Sequence, residues 1–207
     1  QEDYPSDFKS KHDGRMHACG HDTHVAMLVS AAKLLADSKD SFTGKIRFMF
    51  QPGEEGFHGA KFMIEEGVLD GVDRAFAIHA FTNMPSGMIT TKDGAIMASA
   101  DRFEITIHGE GGHASAPHQC ADPIPAMAST ITGLHTMVGR SIEATQSGLV
   151  TVAHVEAGTT NNIIPHQAWM EGTIRAHDEH TRETLQNNIS RVAEGNAAAH
   201  GCTCTTN

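Results

Sequence analysis

The chain has 207 residues, 39% of them hydrophobic and 19% charged, and carries a net charge of −10 at pH 7. That composition excludes a disordered chain, and an acidic balance without a long basic block excludes a surface that tracks nucleic-acid phosphates. The longest mostly apolar stretch, 25–36, is too short to span a bilayer and contains Ser30 and Lys33, so no membrane partner is expected.

Apolar residues Val25, Leu28, Val29, Ala32 and Leu35 recur at helical spacing and predict a helix that starts just after His21, with Asp22 and Thr23 as candidate caps. The run 45–50 predicts a strand that breaks at Gln51-Pro52-Gly53; a helix is expected over 59–66, and 74–80 reads as a second buried strand. Helix, strand, helix, strand implies a parallel sheet covered by helices, with functional loops at the carboxyl ends of the strands. After a hairpin expected through Lys92-Asp93-Gly94 the pattern changes. Strand 103–108, helix 125–138, strands 148–156 and 169–176, helix 179–199 and a strand from Cys202 make β-α-β-β-α-β, the ferredoxin-like order. A domain boundary is therefore placed near 98–101. The fold class is α/β, with residues 1–99 and 100–207 as two domains.

Four irregularly spaced cysteines, Cys19, Cys120, Cys202 and Cys204, read as reduced thiols, and the absence of signal-peptide regions makes a cytoplasmic location the expectation. Cys202-x-Cys204 fits neither a Cys-x-x-Cys motif nor a zinc finger. The 15 histidines point toward metal or acid–base chemistry, and position narrows the choice. Cys19-Gly20-His21 lies ahead of the first helix, where Gly20 lets thiolate and imidazole converge on one cation, and His17, Asp22 and His24 stand around it. Gln51-Pro52-Gly53-Glu54-Glu55-Gly56 follows a strand. In extended backbone one of its carboxylates faces a metal and the other faces water as general base. His79 closes the next strand.

A thiolate with imidazole and carboxylate suits zinc first and manganese second; two ions would need a bridging ligand, for which Cys19 is a candidate. The resulting positive pocket favours a substrate bearing a carboxylate. In the second domain the glycine-rich turn Gly109–His118 presents His113, a candidate for stabilising the oxyanion of a tetrahedral intermediate. Asn161, Asn162 and Arg175 are further polar candidates, Arg175 being able to clamp a carboxylate.

Taken in order, Met16-His17-Ala18-Cys19-Gly20-His21-Asp22, Gln51-Pro52-Gly53-Glu54-Glu55, Ala77-Ile78-His79, Gly111-Gly112-His113-Ala114, Asn162-Ile163-Ile164-Pro165 and Gly172-Thr173-Ile174-Arg175 carry a resemblance. The chain resembles the amidohydrolase branch of the aminoacylase/carboxypeptidase metallopeptidases, which includes hippurate hydrolase and the plant auxin-conjugate hydrolases. The resemblance implies a catalytic domain holding two divalent ions, zinc or manganese, interrupted by a ferredoxin-like lid that often dimerises. It implies hydrolysis of N-acyl amino acids, small-molecule substrates, to a carboxylic acid and a free amino acid. Under it, Cys19, His21, Glu55 and His79 are metal ligands, Glu54 is the general base, His113 contacts the transition state, and Asn162 and Arg175 bind the substrate carboxylate.

The family pattern also has an aspartate segment upstream and a final histidine ligand downstream, neither of which falls within these residues. The chain is accordingly expected to be an internal fragment, with residues 1–99 a partial catalytic domain. The rival expectation is a non-catalytic protein that binds metal or acyl-amino acids on the same scaffold, for which Glu54→Gln would change nothing.

Overall fold

The computed structural model describes all of residues 1–207, and the chain divides into two compact units, Gln1–Met88 and Ile89–Asn207. Residues 89–100 hold no helix or strand before the second unit's first strand begins.

In the first unit, α1 spans His21–Asp37 and α2 spans Gly59–Glu65. The amphipathic run forms α1 as its period predicts, but the start is made differently. Gly20 is the N-cap in the left-handed region (φ 77°) and no side chain caps the helix. Asp22 lies inside the first turn, where its charge complements the helix dipole. The parallel sheet expected of residues 1–99 is absent: 45–50 and 74–80 have no strand pairing, and the chain's sheets are antiparallel. The physical reason lies in burial. Parallel strands persist when both faces are covered, whereas Ile46, Phe48, Phe50, Phe76 and Ile78 are exposed and Gly59 is the one buried residue of the unit. Arg47 donates to the Val68 carbonyl at 2.5 Å, a side-chain tether where the expectation placed a ladder. The expected hairpin at 92–94 is likewise a bend, with Gly94 at φ 81° and no strand on either side.

The second unit is built from β1 (Asp101–His108), β2 (Gly112–His113), α3 (Pro123–Ser141), β3 (Gly148–Ala157), β4 (Ile163–Ile164), β5 (Gln167–Ala176), α4 (Glu179–Ala199) and β6 (Thr203–Thr206). Four strands form one antiparallel sheet in the order β3-β5-β1-β6, while β2 and β4 pair separately. The β-α-β-β-α-β order expected of this region is the order observed for the main sheet and its two helices. Alternation in β1 buries Phe103, Ile105 and Ile107, and alternation in β5 buries Ala168, Met170 and Ile174. Against them pack Ala126, Met127, Leu134 and Met137 of α3 and Leu185, Ile189, Ala193 and Ala197 of α4. Each fully buried aliphatic side chain here contributes about 1.5–3 kcal/mol by leaving water.

Both helices start on aspartate caps. Asp122 Oδ1 accepts the Ile124 N–H at 2.9 Å, and Asp178 Oδ1 accepts the Thr181 N–H at 2.8 Å. At the head of β1, Asp101 receives the Arg182 guanidinium through Nε at 3.0 Å and Nη2 at 2.6 Å, which ties the sheet to α4. That ion pair, with a bond from Ser99, holds the Asp101 carboxyl below its ordinary range against the opposing effect of burial.

Candidate metal centre and catalytic residues

The first cluster forms at the start of α1. Cys19 and His21 flank Gly20, whose left-handed backbone turns the chain into the helix; a Cβ there would be strained. Beside them the 54–57 segment is a turn and not extended backbone, with Gly53 and Gly56 at φ 57° and 80°. Both carboxylates therefore approach the same imidazole nitrogen: His21 Nε2 is 3.5 Å from Glu54 Oε2 and 3.8 Å from Glu55 Oε1. The ligating atoms of Cys19, His21 and Glu55 all lie within 4.8 Å of one another.

His79 adjoins the cluster at Cys19. Its Nδ1 is 2.6 Å from the Ala80 carbonyl, which can only accept, so Nδ1 carries a proton and, in the neutral ring, Nε2 is the nitrogen with the lone pair. That Nε2 lies 3.4 Å from Cys19 Sγ. Such wiring is the usual arrangement around a metal-ligating histidine. His24, one turn along α1 from His21, accepts the Ala80 N–H through Nε2 at 2.9 Å and so fixes the 74–80 segment against the helix. Burial, with the neighbouring His79 and His21, pushes His24 below its ordinary range.

The donor set fits a borderline-soft divalent cation. Burial pushes the Cys19 thiol up, and the negative charges of Glu55 and Glu54 push it further. A divalent charge among these groups reverses the sign of that field and favours the thiolate. Sulfur and imidazole beside a carboxylate suit such a cation better than magnesium or calcium, which take oxygen ligands.

The second cluster is in the other unit. His113 Cα pairs with Ile163 across the β2–β4 ladder, and Ala114 N–H donates to the Asn162 carbonyl at 3.1 Å, so His113 and Asn162 are neighbours. The approach is close enough that a Cβ on Gly111 would come within 2.5 Å of the Ile164 carbonyl. His166, which the sequence did not single out, holds this glycine turn: its carbonyl accepts Gly109 N–H at 2.8 Å and its Nδ1 accepts Gly111 N–H at 3.3 Å. Ser115 also contacts the His113 ring, with its N–H donating to Nδ1 at 3.2 Å and its hydroxyl 2.8 Å from the same atom.

Arg175 is not brought to this cluster. β1 and β5 run antiparallel, with His108 opposite Gln167 at one end and Asp101 opposite Ile174 at the other, so Arg175 stands at the end of β5 away from the His113 turn. Its guanidinium donates within its own strand, to the Thr173 hydroxyl and to the Ile174 carbonyl.

Residues 1–195 match the family described as Peptidase family M20/M25/M40. Thermostable carboxypeptidase 1 of Saccharolobus solfataricus is 45% identical over 99% of this chain and 52% of its own length. N-acetylcysteine deacetylase of Bacillus subtilis is 46% identical over 94% of this chain and 51% of its own. The chain thus spans about half the length of the curated relatives it matches. Among solved structures, Bacillus subtilis YXEP, a dinuclear metal-binding peptidase from the M20 family, superposes with a TM-score of 0.79 at 40% identity, covering 100% of this chain and 52% of that one.

Proposed function

We propose that this chain, which belongs to Peptidase family M20/M25/M40, forms part of a metal-dependent amidohydrolase that cleaves the amide bond of N-acyl amino acids. The observation that carries the reading is the convergence of Cys19, His21 and Glu55 ligating atoms within 4.8 Å, with the Glu54 carboxylate beside the same imidazole. Relatives support the chemistry: N-acyl-L-amino acid amidohydrolase of Geobacillus stearothermophilus is 40% identical, and IAA-amino acid hydrolase ILR1-like 2 of Arabidopsis thaliana is 40% identical.

In this reading Cys19, His21, Glu55 and His79 would hold two divalent ions, zinc or manganese. When bound, the ions supply Lewis acidity toward the amide carbonyl and a lowered pKa for the attacking water. Glu54 takes the proton of that water and returns it to the departing amide nitrogen. His113, in a lid domain of residues 100–207, donates to the oxygen that becomes negative in the tetrahedral intermediate, and residues 1–99 contribute to the catalytic domain. Asn162, placed beside His113, binds the substrate carboxylate; Arg175 serves the same end only through a rearrangement or a second subunit, given its position at the far end of β5. A homodimer contact through the second unit belongs to the same reading, and the unpaired edges of β3 and β6 support it. The free thiols support a cytoplasmic site of action.

The test is release of free amino acid from hippurate and acetyl-amino acids by the intact enzyme, with chelation and metal add-back. Glu54→Gln is expected to lower turnover roughly 10²–10⁴-fold with metal content retained, the usual worth of a positioned base. Metal-independent activity, or full activity in E54Q, overturns the reading.

A further inference from the structure

The hydrogen bonds around His113 define which of its ring nitrogens carries the proton. A neutral imidazole has one donor nitrogen and one acceptor. The Ser115 backbone N–H can only donate, and it points at His113 Nδ1 from 3.2 Å. Nδ1 is therefore the acceptor, the Ser115 hydroxyl at 2.8 Å donates to it as well, and the ring proton resides on Nε2. The turn that brings Ser115 under the ring is itself closed by Ala116 N–H donating to the His113 carbonyl at 2.8 Å. On the other side of His113, the β2–β4 ladder and the Ala114 bond to Asn162 hold the backbone.

His79 carries the opposite wiring. There Nδ1 donates to the Ala80 carbonyl, so Nε2 is the bare nitrogen, as a metal ligand requires. At His113 the exposed Nε2–H is a donor. A bare nitrogen there would repel an oxyanion, whereas Nε2–H stabilises it. The same geometry makes Nε2 of neutral His113 unfit to ligate a cation or to accept a proton.

We propose that Ser115 is a positioning residue that locks His113 in the Nε2–H tautomer, so that the ring offers a hydrogen-bond donor to the negatively charged oxygen of the substrate. The inference rests on the transition-state role of His113 proposed above and adds to it the residue that sets the ring's polarity.

The test has a spectroscopic and a kinetic arm. Nitrogen-15 spectra of histidine-labelled chain are expected to show neutral His113 protonated at Nε2 and bare at Nδ1. Ser115→Ala keeps the backbone donor but removes the hydroxyl, and should move His113 toward a mixture of tautomers; Ser115→Thr should preserve the Nε2–H form. In the intact enzyme S115A is expected to lower kcat about tenfold with KM little changed, less than the 10²–10³-fold typical of deleting an oxyanion donor outright, and S115T should restore it. A proton on Nδ1 in the unsubstituted chain overturns the proposal, as does an S115A variant with unchanged tautomer and unchanged kcat. Should His113→Ala retain full activity, the role of His113 itself fails, while the nitrogen spectra still decide the tautomer lock separately.

Discussion

Gln1–Met88 and Ile89–Asn207 solve opposite problems. The first unit gathers a thiol, imidazoles and carboxylates at one helix start while burying a single residue, Gly59. The second buries a continuous core between its sheet and α3 and α4, and holds His113 and Asn162 at the short separate β2–β4 ladder. A ligand cluster can thus be assembled by local means. Cys19 and His21 are two residues apart across a left-handed glycine, and single tethers such as His24 to Ala80 bring in the remaining segment. A core demands complementary apolar faces from several elements at once, which the second unit has.

The largest expected effect that would sharpen this contrast is a pair of truncations. Leu134→Ala removes a fully buried side chain between α3 and its neighbours and is expected to cost about 2–5 kcal/mol of unfolding free energy in urea titration. Phe76→Ala, at a position 93% exposed, should change stability by less than about 0.5 kcal/mol. Equal losses would break the contrast.

Next in size is the response to metal. Zinc or manganese at about 100 times its dissociation constant should stabilise the conformation that binds it by about 2.7 kcal/mol. Hydrogen exchange should then slow in α1 and at Ala80 and be unchanged in α3 and α4. Protection gained equally in both units would contradict a site confined to the first.

The smallest effect concerns Asp101 and Arg182. Removing the carboxylate in Asp101→Ala takes from the Arg182 guanidinium its main partner and should lower the melting temperature at neutral pH. Because the folded-state pKa of Asp101 is lowered, its contribution is complete above the ordinary carboxylate value of 3.8 and is lost as pH falls through the folded value. Thermal melts from pH 6 downward should therefore show the difference between the parent chain and D101A narrowing with acid; a constant difference would mean the ion pair contributes nothing.

Much of the second unit was legible because its signals are local and strong. The period of two in β1 and β5 and the helical periods of α3 and α4 each name a buried face without reference to anything distant, and the unit supplies faces to meet them. The same reasoning misplaced 45–50 and 74–80, since apolar runs declare a need for cover without providing it. His166 escaped notice for a different reason. Its bond to Gly111 joins residues 55 apart in sequence, and no spacing rule marks such a partner. Ser115 is only two residues from His113 and stood in the quoted turn, but its meaning depends on which ring nitrogen it reaches.

By itself, then, the sequence determined the donor types, their order along the chain, the β-α-β-β-α-β succession of the second unit and the helix after His21, because residue chemistry and short-range periodicity are written directly in it. Tertiary structure decided the rest: antiparallel pairing in the order β3-β5-β1-β6, Gly20 as the cap of α1, both glutamates facing His21, Asn162 beside His113, and Arg175 at the opposite end of its strand. Those outcomes depend on which distant backbone groups and faces meet, and on ring hydrogen bonds that exist only once they have met. That is also why one histidine is wired to offer a lone pair and another to offer a proton.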